Sequence, residues 1–115
     1  MGKGPLEVKS YAFALEIIKV ARKLKYNKED IMSRQILRSG TAIGALISEA
    51  QFGQSKMDFK YKMTLALKEA NETKFWLDLL YDSGYLEHES YLPLKNVNSE
   101  LIAMLISTIK TTKGI

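Results

Sequence analysis

At 115 residues and a net charge of +4, the chain fits one domain, and a domain of that length buries roughly two thirds of the surface its unfolded form exposes, so no covalent staple is required. It contains no cysteine, which excludes a disulfide framework, a thiolate nucleophile and a cysteine metal site, and suits a reducing compartment; a cytoplasmic location is expected. The longest apolar run, Leu101 to Ile106, is six residues against the roughly 20 that span a bilayer, and the first residues lack a signal-peptide core, so no membrane partner is expected.

Hydrophobic periodicity predicts four helices and no strand. A loose arm over residues 1–5 precedes the first helix, Leu6 to Tyr26, on the spacing Val8, Tyr11, Leu15, Ile18. Asn27 and Lys28 make the turn. The second, Glu29 to Phe52, repeats Met32, Ile36, Gly40, Ile43, Ile47 and Ala50 in steps of four and three, the mark of a bundle seam. Gly53 to Ser55 end it, and Ser55 with Asp58 resembles a capping box in which Asp replaces Glu. The third helix, to about Ser83, has the seam Phe59, Met63, Ala66, Ala70, Thr73, Leu77 and Leu80, and Gly84 suits the left-handed residue beyond its end. A fourth starts near Ser90, where a first-turn Pro93 is tolerable, and turns Leu94, Val97, Leu101, Met104 and Leu105 inward. Short connections between long helices favour a single domain, residues 1–115, folded as an all-α, antiparallel up-down-up-down four-helix bundle.

Two helices carry more apolar surface than one core stripe uses. Opposite the seam of the third runs Tyr61, Leu65, Lys68, Glu72, Phe75, Leu79 and Asp82; on the first, Phe13, Ile17, Val20 and Leu24 recur away from Val8 and Leu15. Self-association would bury such faces, because the same patches recur on every copy. Phe13, Ile17, Tyr61, Leu65, Phe75 and Leu79 are the expected contacts between copies. Gly40 and Gly44 each cost a helix interior about 1 kcal/mol relative to alanine, which close approach of a neighbouring backbone offsets.

Chemistry is sparse. One histidine, His88, beside Glu87 and Glu89 in the last turn, cannot supply a di-iron or zinc ligand set, so no metal and no cofactor is expected. No catalytic triad can be assembled. Lys68, Glu69 and Glu72 are the one cluster suited to acid–base work, but charges at helical spacing are usually ion pairs. A hairpin centred near Ser55 brings Arg38 level with Glu72, so Arg38, Lys68, Glu69 and Glu72 are expected to form a structural ion-pair network, within or between copies.

The stretches SRQILRSGTAIGALISEAQFGQSKMDF and LALKEANETKFWLDLLYDSGYL resemble the 23S rRNA intervening-sequence protein family, also called four-helix-bundle proteins. The likeness spans nearly the whole chain and rests on Arg38-Ser39-Gly40-Thr41 with Gly44 and Glu49, and on Lys68-Glu69-Ala70 with Glu72, Trp76 and Leu77. It implies a homopentameric ring with no enzyme activity. A relative similar in fold, the accessory variability protein of diversity-generating retroelements, engages nucleic acid through a basic surface; carrying that role over is analogy, since a fold does not set a function.

Charge adds one direction. Residues 1–55 carry nine basic and five acidic side chains, the rest eight of each. Up-down topology gathers both termini and the second turn at one end, where Lys3, Lys9, Lys56, Lys60, Lys62, Lys110 and Lys113 outnumber Glu7, Glu49 and Asp58. That end is the candidate surface for the phosphates of RNA or DNA. The alternative is a protein-protein adaptor without nucleic-acid affinity, and an enzyme using the charges of the third helix ranks last.

Overall fold

The computed structural model describes residues 3–112, which form four helices: α1 (Pro5–Tyr26), α2 (Asp30–Ala50), α3 (Lys56–Asp82) and α4 (His88–Thr111). No strand occurs among the described residues. The expected boundaries shift by one to two residues, and two shifts have consequences. Pro5, placed in the loose arm, opens α1, where its missing N–H costs nothing. By contrast α4 begins at His88, so Pro93 lies beyond the first turn and deprives the Glu89 carbonyl of its helical donor; both residues are exposed, and water can replace that bond.

Each end has a local cause. Glu7 Oε1 accepts from the Gly4 amide at 3.2 Å, and Ser55 Oγ accepts from the Asp58 amide at 3.1 Å while Asp58 Oδ2 accepts from Gln54 at 3.2 Å. Both α1 and α3 end in the same doubly bonded turn. Tyr85 donates to the Leu80 carbonyl at 2.9 Å around Gly84 (φ 86°), and Glu29 donates to Leu24 at 2.8 Å around Lys28 (φ 66°). Gly84 takes that left-handed conformation without strain, whereas Lys28 must hold a Cβ there.

The four helices form a bundle in which α1 packs on α2 and α4, and α3 packs on the same two. The diagonal pairs make no close backbone approach among the described residues. Residue numbers run in opposite senses across α1 and α2, α2 and α3, and α3 and α4: Ser33 donates to the Ala21 carbonyl at 2.7 Å and Gly44 lies by Ser10; Ser39 bonds Thr73 and Glu49 bonds Lys62; Asn98 donates to Ala70 and Tyr91 to Asp78. Ile17, Ile36, Ile43, Ile47, Leu77, Leu80, Leu101 and Leu105 are fully buried, each contributing about 1.5–3 kcal/mol relative to an exposed side chain.

The expected core stripe of α1 is corrected. Val8, Tyr11 and Leu15 are 57%, 64% and 47% exposed, whereas Phe13 and Ile17, expected between copies, are 3% and 0% exposed inside the chain, with Ser10, Ala21 and Leu24. The reason lies on α2. Gly40 and Gly44 admit a close helix only where small or well-fitted groups face them, and Ser10, Ile17 and Ala21 share one stripe that does so.

Candidate functional site

Side-chain chemistry concentrates at three places, each held by a pair of helices. The first joins α2 to α3. Arg38 Nη1 donates to Glu69 Oε1 at 3.2 Å and Nη2 donates to Glu72 Oε2, which also accepts from the Trp76 indole at 3.1 Å. Trp76 in turn packs edge-on against Phe75, ring centroids 5.1 Å apart. The network expected at Arg38, Glu69 and Glu72 therefore exists within one chain, while Lys68 makes no ion pair among the described residues. Each carboxylate accepts from the guanidinium, which ties α2 to α3 at this level.

The second place joins α3 to α4 and escaped the sequence reading. Tyr81 and Tyr91 stack with centroids 4.2 Å apart, the Tyr91 hydroxyl donates to Asp78 Oδ1 at 2.6 Å, and the Tyr81 hydroxyl lies 3.3 Å from His88 Nδ1. Burial alone would raise the Asp78 carboxyl, but the hydrogen bonds from Tyr91 and from Lys74, the latter at 3.0 Å, outweigh it and hold the group below the usual value. Burial, then the bond to Asp78, pushes the Tyr91 hydroxyl up. A hairpin centred on Gly84 sets Asp78 opposite Tyr91 and Tyr81 opposite His88, so the sequence did carry a signal for the cluster.

The third is the lysine-rich end. Lys62 donates to Glu49 Oε1 at 2.8 Å, which holds its ammonium above the ordinary value, and Lys9 lies 3.5 Å from Glu100. Lys56, Lys60 and Lys110 have no acidic partner within 4 Å among the described residues, and Lys3 sits 5.9 Å from the Tyr11 ring. Lys113 lies outside the described residues. Two of the expected phosphate contacts are thus already engaged, and Glu100, uncounted from sequence, faces one of them.

Of the candidates for contacts between copies, Tyr61, Phe75 and Leu79 are exposed and Leu65 is half-buried on α3. The α1 counterpart is the stripe of Val8, Tyr11 and Leu15 with half-buried Ile18. Among the described residues no cluster of three or more His, Asp or Glu side chains could hold a metal ion, and no helix is long and apolar enough to cross a membrane.

Comparison with solved structures finds a crystal structure from Bacteroides thetaiotaomicron, described as a protein of unknown function from the S23 ribosomal protein family. It is 48% identical, with a TM-score of 0.89, over 92% of this chain and 99% of that one. No curated protein matches. The sequence profile of the 23S rRNA-intervening sequence proteins matches residues 6–107, and the chain belongs to that family.

Proposed function

We propose that the chain is a non-enzymatic, antiparallel up-down-up-down bundle that self-associates in the cytoplasm as a homopentameric ring and holds the phosphates of RNA or DNA on its lysine-rich end. The observation that carries this reading is the pair of outward apolar stripes on the diagonal helices α1 and α3, which cannot meet inside one chain. Both lean toward α2, since Tyr11 and Ile18 flank its groove and Glu72 reaches Arg38. At 100° per residue the two stripes face directions roughly 115° apart, an angle that closes a ring after about five or six copies. Ring symmetry would repeat Lys3, Lys56, Lys60 and Lys110 around one rim. The family's description, which names 23S rRNA, favours nucleic acid as partner. Kinship with the accessory variability protein of diversity-generating retroelements belongs to the same reading, by analogy of fold.

Light scattering coupled to size exclusion tests assembly, with a monomeric mass at micromolar concentration ending the proposal. Mobility-shift titrations with structured RNA and duplex DNA test binding. The parent should bind at about 1–100 μM at low salt and weaken steeply as salt rises, and changing Lys56, Lys60 and Lys110 to Glu should abolish the shift. Equal binding by parent and variant would exclude this surface. The pairing of Lys9 with Glu100 and Lys62 with Glu49 favours a second reading, a protein-protein adaptor without nucleic-acid affinity, and no shift below about 100 μM would select it.

A further inference from the structure

Ring closure takes a contact between the α1 and α3 stripes but does not set their relative direction or level. We propose that the α1 stripe of one copy lies beside the α3 stripe of the next, parallel to it and at the same level, so that the contact is head-to-tail. It rests on self-association and adds the direction and level of that contact.

The stripes share a period. On α1, Val8, Tyr11, Leu15 and Ile18 continue into Arg22 and Lys25 at steps of three and four; on α3 the series is Leu65, Lys68, Glu72, Phe75, Leu79 and Asp82. Contacts across α2 set their relative height. Ser10 lies by Gly44 and Ala21 by Ser33, while Ser39 lies by Thr73 and Glu49 by Lys62. Ser10 therefore stands level with Leu67, and Ala21 with Asp78. The same steps put Val8 near the height of Leu65, Tyr11 near Lys68, Leu15 near Glu72, Ile18 near Phe75 and Lys25 near Asp82.

Rotation about an axis parallel to the bundle preserves height, so these pairs are the ones a ring brings together. Val8 with Leu65 and Ile18 with Phe75 are apolar on apolar. The Lys68 ammonium, without an acidic partner among the described residues, meets the exposed ring of Tyr11, and Lys25 meets Asp82. Leu15 falls on Glu72, whose carboxylate is already satisfied by Arg38 and Trp76. Charge favours this orientation over its reverse. The last turns of α1 carry Lys19, Arg22, Lys23 and Lys25 against Glu16, and those of α3 carry Glu72, Asp78 and Asp82 against Lys74, whereas the first turns of α3 are lysine-rich. Antiparallel stripes would oppose Arg22 and Lys25 to Lys68. A two-fold pairing of α3 with itself, centred on Glu72, would oppose that carboxylate to its own copy.

Complementation of two variants tests the inference. Leu15→Glu blocks the α1 stripe and Phe75→Glu the α3 stripe; both positions are exposed, so circular dichroism should match the parent. Each variant alone should run as a monomer, and a one-to-one mixture should recover a species of two chains, held by the single intact pair of stripes. Lys25→Asp should weaken association a few-fold, with Asp82→Lys restoring it in the double variant. Association by Leu15→Glu alone, with no rescue of Phe75→Glu on mixing, would mean that α3 meets α3 and would overturn the inference. Parent-like mass for both variants would place the contact elsewhere, overturning the inference but leaving self-association intact. A monomeric parent would remove both.

Discussion

Ile17 of α1 occupies the place where a Cβ on Gly40 of α2 would stand: such an atom would lie 2.7 Å from its Cγ2 and 2.8 Å from its Cγ1. The side chain is β-branched and fully buried, so it cannot swing away. Gly40→Ala should therefore destabilise the fold by about 1–3 kcal/mol, although alanine is the better helix former by about 1 kcal/mol. Urea unfolding at fixed protein concentration measures it, and Ile17→Ala should cost less in the Gly40→Ala background than in the parent. A parent-like or raised midpoint for Gly40→Ala alone would show that the helices move apart freely.

The Glu72 carboxylate serves two donors, Arg38 and Trp76, where that of Glu69 serves Arg38 alone among the described residues, so Glu72→Ala should cost more than Glu69→Ala. In a double-mutant cycle, Arg38→Ala and Glu72→Ala should couple by about 0.5–1 kcal/mol, less at high salt because Arg38 is half exposed. Additive losses would reduce the pair to an ordinary surface contact.

Asn98 is buried in α4, donating to the Ala70 carbonyl at 3.0 Å while its Oδ1 has no hydrogen-bond partner among the described residues. Asn98→Asp should cost about 3–5 kcal/mol at pH 7, since a carboxylate there faces a carbonyl with no donor. Protonation restores the donor. The folded pKa of the new carboxyl is raised, so its stability should recover as pH falls toward 4 and be lost as pH rises, read from urea midpoints across that range.

Asp78 titrates in the opposite sense. Its folded pKa is depressed, so its contribution is present above the unfolded carboxyl pKa and is lost as pH falls through the folded value. Tyr91→Phe removes the 2.6 Å hydrogen bond and should bring the Asp78 carboxyl back up, which a carboxyl-detected NMR titration reads directly. An unchanged titration would assign the depression to Lys74 and Lys95.

Much of the architecture was legible because α2 and α3 each carry an unbroken seam at bundle spacing, and the structure buries Ile36, Gly40, Ile43 and Ile47 on the one and Met63, Ala66, Ala70, Thr73 and Leu77 on the other. The Arg38 network was legible too, since a short turn sets the register of the hairpin around it. On α4 the reading missed Tyr91 and Asn98, which lie on the buried stripe with Leu94 and Leu101 but are polar, and whose partners are supplied by α3.

By itself the sequence determined that the chain makes four helices, where they turn, and that α1 has two faces able to be buried, because period and composition are local properties of the chain. Which face of α1 enters the core only the tertiary structure decided. Val8, Tyr11 and Leu15 recur at helical spacing just as Phe13, Ile17 and Leu24 do, so periodicity alone cannot choose between them. Shape adds to the choice: Gly40 and Gly44 leave a shallow surface on α2 that Ile17 and Ser10 fit at close range, and Val8, Tyr11 and Leu15 are left outside.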